Sequence, residues 1–313
     1  MKILVTGAAG FIGSHAAERL QDMGHEVIGL DNFNDYYSVA LKELNAKTLT
    51  EKGVSVLKKD LRDTDLTEFL PLDIDYIFHF AGQPGISQTS TFEDYLENNI
   101  IATKRLIEYA ENCTQLKLFV NLATSSIYGI QATFPETEVP KPASHYGVTK
   151  LAAEQMVLQK SREGVFKSCS LRLYSVIGPR ERPEKMYTKL IDLGIKDQKF
   201  PLFEGSEKHL RSFTYVGDIV DGIVSVIGKE AYIDGEIINL GTEKEHTTKE
   251  GIMAVETVLG KKIHLNIVPK RPGDQLRTKA NIDKAKRLLN YNPQTTLLEA
   301  VEKQVEWFKA NFC

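Results

Sequence analysis

Tyr146 and Lys150 bracket the segment Tyr146-Gly147-Val148-Thr149-Lys150. Positions i and i+4 share one face of an α-helix, so a phenol and an ammonium would lie side by side there. A free phenol has a pKa of about 10, and a base working near neutrality needs that lowered by about 3, or roughly 4 kcal/mol. An ammonium about 4 Å away at intermediate dielectric supplies an effect of that size. The pair therefore suits proton abstraction from a hydroxyl. Thr124-Ser125-Ser126 adds hydroxyls directly after an apolar run. Hydroxyls at such a strand end can hold a substrate oxygen and share a proton with Tyr146.

A second constellation lies at the start of the chain, Thr6-Gly7-Ala8-Ala9-Gly10-Phe11-Ile12-Gly13. Its glycines are spaced three and three, not two and three as in G-x-G-x-x-G. Gly7 would make a tight turn, Gly10 would let a pyrophosphate approach the backbone, and Gly13 would allow helix and strand to pack closely. The free N–H groups and partial positive charge of a helix starting there suit an anion. Asp31 follows 18 residues after Gly13, at the end of a second apolar run, where a carboxylate would hold ribose hydroxyls. No Arg stands beside it for a 2′-phosphate, which points to NAD rather than NADP. Asp60-Leu61 follows the third run, where it could contact adenine or serve as an exposed turn acid.

These residues need a scaffold, and its pattern is readable. Apolar runs at Lys2–Thr6, Glu26–Leu30, Val54–Lys58, Ile74–Ala81, Leu116–Ala123 and Lys167–Leu173 read as strands. Helical spacing predicts helices over Gly10–Met23, Thr91–Asn112 and His145–Glu163, the first closed by Gly24. Such alternation predicts an α/β fold with a doubly wound parallel sheet. After Leu173 the pattern becomes irregular and richer in Pro and Gly, before one more strand at Glu236–Leu240 and a final helix at Leu297–Asn311. The expected division is a dinucleotide-binding domain over residues 1–173 plus about 212–240, and an interleaved smaller region over 174–211 and 241–313.

The composition excludes several classes. The chain has 313 residues, 39 Lys+Arg against 42 Asp+Glu, and 42 % hydrophobic residues. That is ordinary for a globular protein and argues against disorder. A net charge of -3 argues against nucleic-acid binding. No run of about 18 apolar residues predicts a membrane helix. Three scattered Cys fit a reducing cytoplasm better than a disulfide framework. The seven His show no metal-ligand spacing, so no metal is expected.

Taken together, TGAAGFIG (Thr6–Gly13), LDNFNDYY (Leu30–Tyr37), ENNIIAT (Glu97–Thr103), ATSSIYG (Ala123–Gly129), YGVTK (Tyr146–Lys150), IGPRERP (Ile177–Pro183), RSFTYVGDIV (Arg211–Val220) and KRPGD (Lys270–Asp274) resemble the extended short-chain dehydrogenase/reductase family. Within it the chain is most similar to the NAD-dependent nucleotide-sugar epimerases and dehydratases. The resemblance implies tightly bound NAD, a UDP-linked hexose, Tyr146 as base, Lys150 as its activator and Thr124 as hydroxyl partner. It implies a cofactor site of Gly7, Gly10, Phe11, Ile12, Gly13, Asp31, Asn32, Asp60, Leu61, Phe80, Ala81, Gly82 and Asn99, together with Tyr146 and Lys150. Ser125, Ser126, Ser175, Arg182, Arg211, Arg271 and Asp274 would contact substrate, with Arg211 and Arg271 gripping the diphosphate. The dehydratases of this kind carry Asp-Glu where this chain has Ser125-Ser126, and the uronate decarboxylases an acid in place of Ser126. Hydroxyls there imply an epimerase. Ser175 and Arg182 resemble the UDP-glucuronate 4-epimerases, where the arginine holds the sugar carboxylate. Ser87 stands where those enzymes usually have Arg, so UDP-glucose and UDP-N-acetylhexosamine 4-epimerases stay open as alternatives, as does a related decarboxylase or dehydratase. The resemblance also implies a homodimer, joined through helices 91–112 and 145–163 as a four-helix bundle.

Overall fold

A computed structural model describes residues 1–63, 65–86, 89–270 and 277–313. The chain runs β1 (Lys2–Thr6), α1 (Phe11–Asp22), β2 (Glu26–Asp31), α2 (Val39–Glu51), β3 (Ser55–Lys58) and β4 (Tyr76–His79). A continuous helix α3 follows, built from Phe92–Tyr95, a π-helical stretch Leu96–Ile101, and Ala102–Ala110. Then come β5 (Leu118–Thr124), α4 (His145–Arg162), β6 (Ser168–Leu173), α5 (Met186–Ile195), α6 (Val216–Val224), β7 (Ile237–Leu240), α7 (Thr248–Leu259) and α8 (Leu297–Phe312).

The seven labelled strands form one parallel sheet in the order β7-β6-β5-β4-β1-β2-β3. Strand alternation separates its two faces. Ile3, Val5, Phe78, Val120 and Leu122 point to a core shared with Ala16, Ala17 and Leu20 of α1 and with Val220 and Ile223 of α6. Leu4, Ile28, Ile77 and Phe119 point to the opposite core, with Leu106 and Ile107 of α3 and Val157 of α4. Helices thus cover both faces, which is why the strands read as near-continuous apolar runs. All seven residues of β5 are buried.

The order reverses between β1 and β4, which makes that crevice the switch point where ligands bind in open α/β sheets. A third apolar core joins Tyr187, Leu190 and Ile191 of α5 with Phe200, Leu202, Ile252, Val255, Val301 and Val305. It is built from residues 177–308, a span that also holds the edge strand β7 of the sheet. Two-residue strands complete this part, among them Leu210–Arg211 paired with Arg277–Thr278.

Candidate active site

A cleft of about 790 Å³ opens at the carboxyl ends of the strands. Its lining includes every described residue proposed from the sequence: Gly7, Gly10, Phe11, Ile12, Gly13, Asp31, Asn32, Asp60, Leu61, Phe80, Ala81, Gly82, Asn99, Thr124, Ser125, Ser126, Tyr146, Lys150, Ser175, Arg182 and Arg211. Arg271 and Asp274, together with Ser87, lie outside the described residues.

The glycine turn is dictated by sterics. Gly7 has φ of 69°, and a Cβ there would come within 2.7 Å of the Ala81 nitrogen. The turn therefore presses against the end of β4. A Cβ on Gly13 would meet the Gly7 carbonyl oxygen at 2.2 Å, so the third glycine lets α1 close over its own turn. Gly10 is the N-cap of α1 and brings no side-chain hydrogen bond, and no acid occupies the first turn. The helix thus presents its N-terminal N–H groups, with their partial positive charge, to the cleft.

Asp31 ends β2 and is buried. Its carboxylate accepts the Ala9 N–H at 3.1 Å and the Phe33 N–H at 2.8 Å. Burial nonetheless holds its pKa above the usual range, against those bonds and the Lys42 charge. Asn32 donates to Asp60 at 2.9 Å, and Arg62 grips the same carboxylate with Nε at 2.9 Å and a terminal nitrogen at 2.7 Å. Burial raises Asp60, but the Arg62 and Asn32 bonds outweigh it and bring its pKa to about 2. Uncapped helix, glycine cradle and buried carboxylate together fit a dinucleotide.

The catalytic candidates converge on the other half of the cleft. Thr124 is the last residue of β5 and caps the short turn Ser125–Tyr128, accepting the Ser126 N–H at 3.1 Å. Ser144 is the N-cap of helix α4, and its hydroxyl accepts the Gly147 N–H at 3.1 Å. Gly147 is needed for contact, since a Cβ there would lie 2.8 Å from the Ser126 carbonyl oxygen. That close approach brings the first turn of α4, with Tyr146, against the hydroxyl turn.

The phenol differs from the sequence expectation. Burial raises Tyr146 above the usual tyrosine range, opposed by a Thr124 hydrogen bond, the Arg182 charge and a Gly85 backbone hydrogen bond. The reason is that burial penalises the phenolate before any partner acts. Lys150 is itself buried and lowered to about 8, with Glu154 pulling the other way. The ring of Tyr95 packs 6.1 Å from that of Tyr146.

Gln83, Tyr36 and Tyr37 line the cleft without having been singled out as site residues in the sequence, whereas Asn99 and Gly82 were expected there. Asn99 sits in the π-helical stretch, a local insertion frequent at functional sites. Its amide donates to Thr149 on α4 at 3.0 Å and accepts the Gln83 N–H at 2.7 Å. Gly82 makes room for it, because a Cβ would lie 2.7 Å from the Asn99 oxygen. Tyr36 and Tyr37 flank Arg182, whose guanidinium lies 5.5 and 5.9 Å from their ring centroids. The paired tyrosines in LDNFNDYY were the available signal.

The chain matches the model of the NAD dependent epimerase/dehydratase family over residues 3–241. A relative in Bacillus subtilis (strain 168), called an uncharacterized UDP-glucose epimerase, is 36 % identical over 315 residues, covering 99 % of this chain and 98 % of its own. UDP-glucuronate 4-epimerase 4 of Arabidopsis thaliana is 31 % identical, covering 98 % of this chain and 75 % of its own. The crystal structure of UDP-glucuronic acid 4-epimerase from Bacillus cereus, in complex with UDP-glucuronic acid and NAD, superimposes with a TM-score of 0.93 at 34 % identity over the full length of both chains. With the glycine cradle and the Tyr146 helix brought to one cleft of a doubly wound sheet, these likenesses establish that the chain belongs to the NAD dependent epimerase/dehydratase family and is an NAD-using epimerase, an isomerase.

Proposed function

We propose that the protein inverts C4 of a UDP-sugar through a transient 4-keto sugar, with UDP-glucuronate and UDP-galacturonate as the interconverted pair. The observation that carries this is the meeting, in one cleft, of Tyr146, Lys150 and Thr124 with Arg182 and the hydroxyls of Ser125, Ser126 and Ser175. The likeness to UDP-glucuronate 4-epimerases supports the substrate.

Gly7, Gly10, Phe11, Ile12, Gly13, Asp31, Asn32, Asp60, Leu61, Phe80, Ala81, Gly82 and Asn99 would hold NAD beside Tyr146 and Lys150. NAD, when bound, supplies the acceptor and donor for the C4 hydride. Tyr146 takes the proton of the 4-hydroxyl through its hydrogen bond with Thr124, and later returns it to the 4-oxygen from the same side of the cleft. Lys150 contributes the positive charge that favours the phenolate during that transfer. Arg211 and Arg271 would bind the diphosphate, with Asp274 as a further substrate contact. Arg182 binds the sugar carboxylate by charge-assisted bonds. That grip has a second use. The 4-keto uronate is a β-keto acid, and Arg182 with the serine hydroxyls keeps its carboxylate in an orientation poor for loss of carbon dioxide.

The hydroxyls of Ser125 and Ser126 favour epimerisation over water elimination, which needs an acid and a base at that place. A second reading, UDP-glucose and UDP-galactose, is favoured by the Bacillus subtilis relative. NMR of the products from purified protein and a panel of UDP-sugars tests both. Inversion of UDP-glucuronate faster than UDP-glucose supports the first, the reverse order supports the second, and unchanged C4 across the panel rejects both.

Residues 1–173 and about 212–240 would bind the dinucleotide, and 174–211 with 241–313 the nucleotide sugar. Two copies would pair through α3 and α4, where Phe92 and Val148 are exposed. The described cysteines are free, which supports a cytoplasmic setting. Among the described residues no helix is long and apolar enough to cross a membrane.

A further inference from the structure

Arg182 ends a short segment that is anchored on both sides by groups outside the cleft. On one side the anchor is α1. His15 donates from Nε2 to the Pro179 carbonyl at 3.0 Å, and Arg180 reaches Glu18 at 3.0 Å. The ion pair is well shielded, its side chains 10 % and 14 % exposed. Arg180 adopts φ of 67°, a left-handed backbone that costs a residue with a Cβ. Such a conformation persists only where surrounding contacts enforce it, and the Glu18 pair is a contact able to do so. On the other side Glu181 is buried. It accepts the Thr188 N–H at 3.2 Å and the Gln304 amide at 2.9 Å, joining the segment to α5 and α8. Between these anchors Arg182 turns into the cleft over Tyr36, with its guanidinium near Gly85.

We propose that Glu18 is a positioning residue for substrate selectivity: by holding Arg180, it sets where Arg182 meets the sugar carboxylate, without touching either ligand. The helix that opens onto the dinucleotide thus also fixes the carboxylate reader. This rests on the reading that Arg182 binds a uronate. A misplacement of about 1 Å can cost about 100-fold in a positioned interaction. Loss of the tether should therefore weaken the carboxylate contact while sparing the UDP contacts.

Calorimetry on the NAD-loaded protein, with UDP-glucuronate and with UDP alone, tests it. Glu18→Gln should weaken UDP-glucuronate by about 10- to 100-fold and leave UDP unchanged. Arg180→Gly removes the tether while suiting the left-handed backbone, so it should show the same selective loss even if Glu18→Gln folds poorly. The exchanged pair Glu18→Arg with Arg180→Glu should recover much of the affinity. Arg182→Ala is the reference. If Arg182→Ala weakens UDP-glucuronate and neither tether variant does, the inference is overturned and the uronate reading stands. If Arg182→Ala has no effect, the uronate reading itself fails and the inference with it. Equal weakening of UDP and UDP-glucuronate by the tether variants also overturns it, since Glu18 would then support the whole site.

Discussion

Glu154 follows Lys150 by one helical turn and forms a fully buried ion pair with Arg172 of β6. Their side chains are 0 % and 1 % exposed. The guanidinium binds in a fork, Nε to one carboxylate oxygen at 3.0 Å and a terminal nitrogen to the other at 2.6 Å. Ser170 adds a hydroxyl at 3.0 Å, and the Tyr128 ring lies 4.8 Å from the guanidinium. Glu154→Gln keeps the shape, removes the charge and leaves Arg172 buried against a neutral amide. Breaking such a pair typically costs about 3–5 kcal/mol, and the amide oxygen still accepts one bond, so about 3 kcal/mol is expected. With a urea slope of about 3 kcal/mol/M, the unfolding midpoint should fall by about 1 M. A second effect accompanies the first. Glu154 supports the Lys150 proton, so in the variant Lys150 should lose it below the present value of about 8. The double variant Glu154→Leu with Arg172→Met replaces the pair by apolar groups, which is often neutral or stabilising. It should regain most of the stability but keep the lowered Lys150 pKa. A midpoint change worth less than about 0.5 kcal/mol for Glu154→Gln, the size of a surface substitution, would refute this reasoning. So would a double variant as unstable as the single one.

Gly13→Ala should abolish retention of NAD through purification, because its Cβ would sit 2.2 Å from the Gly7 oxygen and force the turn open; absorbance of released NAD measures it. Lys150→Met should cut turnover by about 1000-fold, corresponding to roughly 4 kcal/mol of lost charge support, read by steady-state kinetics. Burial raises the Tyr146 phenol, so in NAD-stripped protein it should ionise above the ordinary tyrosine range. Tyrosinate absorbance, compared with that of Tyr146→Phe, should show this, and adding NAD should bring the ionisation to lower pH by placing a positive charge nearby.

The sheet was legible because buried parallel strands read as apolar runs closed by glycine. Lys2–Thr6 keeps both its expected ends, and Glu26–Leu30 only extends to Asp31. Helix α2 was not read from the sequence. Its buried face is Leu41, Lys42, Asn45 and Leu49, half of it polar. Asn45 is satisfied by the Ala9 carbonyl at 2.9 Å and Lys42 by Asn34 at 2.7 Å, partners that only the tertiary fold supplies. The helix expected over Thr91–Asn112 is present but contains the π-helical stretch, since no residue in LENNII announces one. The short strands after Leu173 pair residues distant in sequence, as Leu210 does with Arg277, and two residues carry no periodicity. The cleft residues were legible because turn, strand end and helix start each impose a residue type. Tyr36, Tyr37 and Gln83 were not, because their place depends on how loops meet across the switch point.

The role of the Tyr146 phenol is tested most directly by one NMR experiment, following UDP-glucuronate in the presence of the NAD-loaded Tyr146→Phe protein. We expect retained NAD, bound substrate and no C4-inverted product on the timescale of complete wild-type equilibration. Inversion at a rate near that of the wild type would contradict the assignment of Tyr146 as the proton-transferring group.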